Sequence, residues 1–314
     1  MRIISAETIH QTMTFPSLIA AIRQSFAGQF GMPPRQVLPL QPGKPEAFAL
    51  LPAWDENVIG CKLFTYFPDN PSQSKDRLYA NILLFSRQSG EPLALLDGIS
   101  ITLWRTAAIS ALAASYLANP AARTLVLFGT GRLAPYLVRA YASIRPLERV
   151  YLIGRDSVKA EQLAVSLQQE LQAEYPDLRI ESAKCSATVL QSADIICCAT
   201  AATEPLFPAH WVQPGTLVDA LGNHHADCSE IDTQLVVDGT LYLDSRINCL
   251  NEAGEVLLPL QAGRIGGQHI QGELADLCRA DQLCWQADRV HVFKAVGTAL
   301  ADLAAARMIQ SFNC

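Results

Sequence analysis

A strand that runs into a glycine loop and then into a helix leaves a chain few folds to choose from. Here Thr124-Leu125-Val126-Leu127-Phe128 leads directly into Gly129-Thr130-Gly131-Arg132-Leu133-Ala134, a helix over 134–143 follows, and a second apolar strand comes at 150–153. In such a loop the first glycine permits the tight turn. The second lets backbone N–H groups approach a pyrophosphate at the helix N-terminus, and a small third residue, here Ala134, lets helix and strand pack closely. The spacing predicts a dinucleotide-binding βαβ unit; without its flanks, an ordinary glycine-rich turn would be the better reading. The end of the second strand reads Gly154-Arg155-Asp156. An arginine there pairs with the 2′-phosphate of NADP(H), whereas a carboxylate accepts from the ribose hydroxyl of NAD(H). Arg155 therefore favours NADP(H), Asp156 leaves NAD(H) open, and a solvated loop cation explains Arg155 as well before the fold is considered.

The texture around this unit divides the chain. Downstream of Asn119-Pro120, apolar runs at 124–128, 150–153, 194–198, 216–220, 235–238 and 241–244 alternate with amphipathic helices at 134–143 and 158–171. Strands alternating with helices predict a parallel sheet covered on both faces. Upstream lie a helix over 17–26, a Pro-rich connection at Met32-Pro33-Pro34, strands at 47–51, 58–66, 80–85 and 92–97, and an Ala-rich helix over 102–117. Antiparallel strands with helices predict an α+β domain. A last helix over 297–312, apolar at Leu300, Leu303, Ala304 and Met308, is expected to return to that first domain. The expected architecture is α/β: a Rossmann-type doubly wound parallel sheet over 118–294, plus an α+β domain of 1–117 with 295–314.

Composition excludes several classes of function. The 314 residues exceed what one core comfortably holds. The apolar half of the chain contains no run long enough to span a bilayer, and the opening MRIISAETIHQTMTF lacks the apolar core of a signal peptide, so a cytoplasmic protein is expected. The nine cysteines (Cys61, Cys185, Cys197, Cys198, Cys228, Cys249, Cys278, Cys284 and Cys314) are odd in number and form no CxxC pair, which predicts reduced thiols and no structural zinc or other metal. A net charge of −6 without a Lys/Arg cluster argues against a nucleic-acid partner.

Three cations sit in otherwise uncharged segments: Arg35 in Pro33-Pro34-Arg35-Gln36-Val37, Lys62 in Ile59-Gly60-Cys61-Lys62-Leu63, and Arg105 in Leu103-Trp104-Arg105-Thr106-Ala107. A cation in an apolar segment needs an anionic partner or an edge from which to snorkel, and for Lys62 alone the strand edge would be the simpler account. Together with Ser89-Gly90-Glu91-Pro92 and its continuation to Gly98, with the stretch from Thr102 to Ala113, and with Gly272-Glu273-Leu274, Phe293-Lys294-Ala295-Val296-Gly297 and Asp302-Leu303-Ala304, these segments resemble the ornithine cyclodeaminase/mu-crystallin family over nearly the whole chain and in order. The resemblance implies that Arg35, Lys62 and Arg105 converge on a substrate carboxylate in a cleft between the domains. It implies cofactor contacts at Arg105, Thr106, Gly129, Thr130, Gly131, Arg132 and Leu133, at Gly154, Arg155 and Asp156, and at Ala199, Thr200, Leu221, Val296 and Gly297. It also implies a homodimer built through the first domain's sheet. Lys62, desolvated among cations, would have a lowered pKa suited to proton transfer.

One departure bears on activity. Cyclodeaminases of the family carry an aspartate where Leu221-Gly222-Asn223-His224-His225-Ala226-Asp227 places His224, and that carboxylate engages the substrate's δ-amine. His224 therefore points away from cyclodeamination and toward the ketimine reductase and alanine dehydrogenase branches. It is a candidate acid with Asp227 as fallback, while a solvated loop histidine fits equally well. The expected activity is NAD(P)H-dependent reduction of a small cyclic imino acid. An alanine or opine-type dehydrogenase, an ornithine cyclodeaminase and a non-catalytic NADPH-binding protein stand as the alternatives.

Overall fold

The computed structural model describes residues 1–312; Asn313 and Cys314, the end of the expected first-domain segment and the last of the nine cysteines, lie outside the described residues. The chain divides into two compact units, one of Met1–Ile109 with the segment from Gly297 onward, the other of Ser110–Val296.

The first unit opens with β1 (Arg2–Ile4), α1 (Ala6–Thr12) and α2 (Phe15–Ala27), followed by β2 (Gln36–Pro39), β3 (Ala47–Trp54), β4 (Val58–Tyr66), β5 (Leu78–Ser86) and β6 (Pro92–Asp97). These strands form one sheet in the order β1-β6-β5-β4-β3-β2, antiparallel except where β1 joins β6. Alternation is clean: Ala47, Ala49, Leu51 and Ala53 of β3, and Ala80, Ile82 and Leu84 of β5, all point to the buried face. Because side chains repeat every second residue along a strand, Val58, Gly60 and Lys62 of β4 share that same face. A lysine is thereby placed in the apolar layer by pleat geometry. The Pro-rich connection holds a strand that composition hid, β2, tolerated at the sheet edge where Pro39 need not donate.

The helix α3 (Gly98–Leu117) starts four residues before the apolar periodicity does. Asp97 Oδ1 accepts the Ser100 N–H at 2.7 Å, capping it, and Gly98 is required because a Cβ there would stand 2.8 Å from the Ala80 backbone. The division between the units falls inside this helix, after Ile109, rather than at its C-terminal end.

The second unit contains β7 (Thr124–Phe128), α4 (Ala134–Ala142), β8 (Arg149–Ile153), α5 (Ser157–Leu171), β9 (Arg179–Ser182), α6 (Ala187–Gln191), β10 (Ile195–Cys198), β11 (Leu217–Ala220), α7 (Thr233–Asp238), β12 (Thr240–Leu243), α8 (Arg246–Glu252), α9 (Gly254–Gln261), β13 (Ile270–Glu273), α10 (Leu274–Ala280) and β14 (His291–Lys294). Its eight strands are all parallel, ordered β13-β12-β14-β11-β10-β7-β8-β9. The order reverses between β7 and β10, the switch point where doubly wound sheets bind ligands beyond their carboxyl ends. One expected strand is corrected: the run 235–238 belongs to helix α7, whose N-cap Asp232 accepts the Gln234 N–H. A four-residue apolar run fits either element, and the cap decided it.

The last helix, α11 (Ala299–Phe312), belongs to the first unit and packs on α2, β3, β4 and β5. It starts two residues later than the sequence suggests. Gly297 turns with φ +81°, and Thr298 Oγ1 accepts the Ala301 N–H at 3.3 Å.

Candidate functional site

In the first unit, packing α11 against β4 brings Asp302 to Lys62 and Arg105. Lys62 Nζ lies 2.8 Å from Asp302 Oδ2, and Arg105 Nε donates to Asp302 Oδ1 at 2.9 Å. All three are buried, at 5%, 6% and 1% exposure for Lys62, Arg105 and Asp302. Arg35, half-buried just before β2, donates to the carbonyl of Gly297. Gly297 has to be glycine: a Cβ there would stand 2.9 Å from Arg105 Nη1 and 3.1 Å from Nη2, and the φ is left-handed. Lys62 Nζ also donates to Thr102 Oγ1 at 3.4 Å.

Lys62 and Arg105 thus share the one carboxylate of Asp302, so these three groups carry one positive charge more than they neutralise among themselves, and Arg35 lies near enough to act on Lys62. Burial pulls the Lys62 ammonium down to about 8; Asp302 opposes the fall, while Arg105 and Arg35 add to it. Burial alone would raise the Asp302 carboxyl, but Arg105 and Lys62 together hold it below the ordinary carboxylate value. Such a cluster can accept a small anion, with the planar Arg forks matched to a carboxylate, and it holds an ammonium that titrates in reach of neutral pH.

In the second unit the glycine loop opens onto a cavity of ≈ 620 Å³ at the switch point, lined by Gly129, Thr130 and Gly131 after β7, by Gly154, Arg155 and Asp156 after β8, and by Ala199 and Thr200 after β10. Gly129 adopts φ +118°, and a Cβ there would meet the Ala199 carbonyl oxygen at 2.4 Å. A Cβ on Gly131 would meet nothing within 4 Å. Its hydrogen therefore preserves open space for a ligand, not a contact within the protein. The donor set fits a dinucleotide: a glycine cradle at a helix N-terminus for the pyrophosphate, and cations beside the next strand. Asp156 is committed to the fold as N-cap of α5, accepting the Lys159 N–H at 3.0 Å. Lys159 lines the cavity beside Arg155. Sequence reasoning missed it, although it lies within one turn of Arg155 on a capped helix.

The other expected residues fall as follows. Arg132, Leu133, Leu221 and Val296 do not line the cavity; Leu221 and Val296 are buried. Gly297, Arg105 and Thr106 belong to the first unit. His224 and Asp227 are exposed on the loop after β11. Asp302 is the other residue that sequence reasoning passed over: it appeared within a familiar stretch, but only its proximity to Lys62 and Arg105 reveals it as their counterion.

A parallel sheet with a phosphate loop at its first strand, joined to a domain with a buried, cation-rich cluster, defines a Rossmann-type α/β protein equipped for a small anionic ligand. The chain belongs to the ornithine cyclodeaminase/mu-crystallin family, whose model matches residues 3–312. It is 46% identical to a Δ1-pyrroline-2-carboxylate reductase of Colwellia psychrerythraea over 314 residues, 98% of each chain. It is 31% identical to the ketimine reductase mu-crystallin of Rattus norvegicus over 95% of this chain and 91% of that one. Among solved structures, the Δ1-pyrroline-2-carboxylate reductase of Thermococcus litoralis in complex with NADH and L-proline superposes with a TM-score of 0.90 at 25% identity, covering 99% of this chain and 97% of the other.

Proposed function

We propose that this chain is an NAD(P)H-dependent reductase of small cyclic imino acids, converting Δ1-pyrroline-2-carboxylate to proline, with Δ1-piperideine-2-carboxylate to pipecolate as its larger-ring counterpart. The observation that carries the reading is the buried pair Lys62 and Arg105 on the single carboxylate of Asp302, with half-buried Arg35 beside them, in a chain 46% identical to a reductase of that name. Two buried cations on one carboxylate support recognition of a second carboxylate, that of the substrate. An uncharged imine would leave those buried donors without a partner, which costs more than the contact gains.

When bound in the second unit, the reduced nicotinamide supplies a hydride. Arg105, its Nε fixed by Asp302, holds the substrate carboxylate with its terminal nitrogens, and Arg35 adds a second donor. Lys62 protonates the ring nitrogen, making the C=N carbon the better electrophile, and regains its proton from solvent. Its pKa of about 8 keeps it largely protonated at neutral pH yet ready to give the proton up. Carbon gains hydride, nitrogen gains a proton, and the C=N bond becomes CH–NH. Arg155 and Lys159 beside the adenosine end of the cavity, with Asp156 engaged as a helix cap, support NADPH over NADH. His224, exposed on the loop after β11, is kept as the alternative acid.

The eight described cysteines are all free thiols, which supports a reducing, cytoplasmic setting. The exposed Val37 and Leu38 on edge strand β2 support a homodimer through the first unit's sheet, which light scattering on the purified protein tests. The activity is tested by following NADPH and NADH absorbance on adding Δ1-pyrroline-2-carboxylate, with pyruvate plus ammonia, and ornithine plus NAD, in parallel. Oxidation with the cyclic imine alone is expected. Turnover of only ornithine, or only of pyruvate with ammonia, would overturn the substrate assignment.

A further inference from the structure

Behind the nucleotide cavity lies a buried charged group that the proposed reaction does not use. Glu230, Glu255 and Lys294 are 0%, 1% and 0% exposed. Lys294, at the end of β14, pairs with Glu255 at 2.9 Å and donates to the carbonyl of Asn223 at 2.8 Å. Glu255, in the first turn of α9, accepts the backbone N–H of Glu230 at 3.1 Å. Glu230 then divides its own carboxylate between two loops. Oε1 accepts the Gly222 N–H, after β11, at 2.6 Å, and Oε2 accepts the N–H and the hydroxyl of Thr200, after β10, at 3.1 and 2.9 Å.

Placing three charges in the interior is expensive, and merely closing two loops does not require it. What the carboxylate achieves is a fixed separation. The loops touch backbone to backbone at Gly222, where a Cβ would stand 2.1 Å from the Thr200 carbonyl oxygen. The far end of the 222–230 loop is seated on α9, where a Cβ on Gly254 would stand 1.9 Å from the Cys228 carbonyl oxygen. Direction in the sheet says which half of a dinucleotide this concerns. Arg155 and Lys159 lie on the β8 side of β7, so an adenosine ribose there sends the other half toward β10 and β11, whose loops Glu230 ties.

We propose that Glu230, backed by Glu255 and Lys294, is a positioning residue that holds the Thr200 and Gly222 loops at the spacing the nicotinamide half of the dinucleotide needs. This inference rests on reading the cavity as a dinucleotide site. It requires an acceptor on both carboxyl oxygens, so a glutamine, which offers a donor on one side, opposes one of the two loops. Burial pushes the Glu230 carboxyl up to about 7, with Lys294 and the Gly222 N–H opposing and Glu255 adding. The groups facing it are Glu255 from α9, Lys294 from β14 and the Cys197 and Cys198 thiols at the end of β10. The doubly accepting carboxylate is thus present above about 7 and is lost as the pH falls below it.

The test compares two ligands on the full chain: NADPH, and 2′-phospho-ADP-ribose, which lacks the nicotinamide. Glu230→Gln is expected to weaken NADPH about tenfold, the scale of one buried hydrogen bond to a charged acceptor, while leaving 2′-phospho-ADP-ribose within about twofold. Thr200→Val, which removes one of the three donors and leaves the charges in place, should shift NADPH in the same direction by about threefold. In a pH series with NADH, whose phosphates do not titrate in that range, parent affinity should fall below pH 7 and the Glu230→Gln protein should lack that inflection. Equal loss of both ligands, or no loss of either, in both variants overturns the proposal. Failure of the parent chain to bind NADPH at all would instead overturn the dinucleotide reading beneath it.

Discussion

In the second unit the groups offered to a ligand are mainly backbone, presented by short loops that each directly follow a strand of one sheet. In the first unit they are charged side chains drawn from separate segments: Arg35 before β2, Lys62 on β4, Arg105 on α3 and the Asp302 counterion on α11. The difference teaches how each site should fail. A backbone site depends on room and on φ, so most side-chain changes around it are local. A buried charge cluster is coupled, so removing one member leaves the others unbalanced in a medium that cannot screen them.

The largest expected effect breaks the cluster at its centre. Arg105→Ala removes the fork for the substrate carboxylate and leaves Asp302 with Lys62 alone. A loss of about 10³-fold in kcat/KM, roughly 4 kcal/mol, is expected in steady-state assays with the cyclic imine. A loss of only a few-fold would mean that the cluster is structural and the carboxylate is held elsewhere.

Asp302→Asn tests the coupling itself. Removing one partner of a buried pair costs about 3 to 5 kcal/mol, read as a lower unfolding free energy in denaturant at pH 7. The sign with pH follows from the depressed Asp302 carboxyl. Its stabilisation is fully present above the unfolded-state value, near 4, and fades as pH falls through the lower folded value, so parent and variant should converge in acid. Activity carries a second signature. As a proton donor, Lys62 is competent below about 8, and parent activity should fall as pH rises past that value. Asp302 raises the Lys62 pKa, so Asp302→Asn should move that fall to lower pH.

The same contrast explains what could be read without a structure. The glycine loop was legible because strand, loop and helix are contiguous and the chemistry is in the order of residues. Arg35, Lys62 and Arg105 were legible one at a time, as cations in apolar segments. Asp302 was not, because nothing local marks it: it is one acid in an Ala-rich helix until α11 packs on β4. Glu230 is hidden for the same reason, its partners being Thr200, Gly222, Glu255 and Lys294 on four other elements. The strand expected at 235–238 failed because four apolar residues carry no period, and Asp232, which settles the matter as an N-cap, lies just outside them.

In the backbone site, a pair of glycines separates fold from binding. Gly131→Ala meets no protein atom, so stability should stay within about 0.5 kcal/mol, while lost approach to the pyrophosphate should weaken NADPH about 30-fold by fluorescence titration. Gly129→Ala has both a left-handed φ and the Ala199 carbonyl against it, and should lower the melting temperature before any ligand is added. If Gly131→Ala also destabilised the protein, the loop would be a structural turn.

The smallest expected effect concerns the one place where the backbone site uses charge. Arg155 and Lys159 are exposed, unlike Lys62 and Arg105, so solvent and salt screen them and each alone contributes modestly. Arg155→Ala should weaken NADPH about fivefold to tenfold, with NADH almost unchanged, because only NADPH carries the 2′-phosphate that the fork can hold. Raising the salt should erase most of the NADPH preference of the parent and little of the effect of Arg105→Ala. If NADH weakened as much as NADPH, Arg155 would be stacking on the adenosine common to both. Cofactor choice would then rest on Lys159, which lines the cavity beside Arg155.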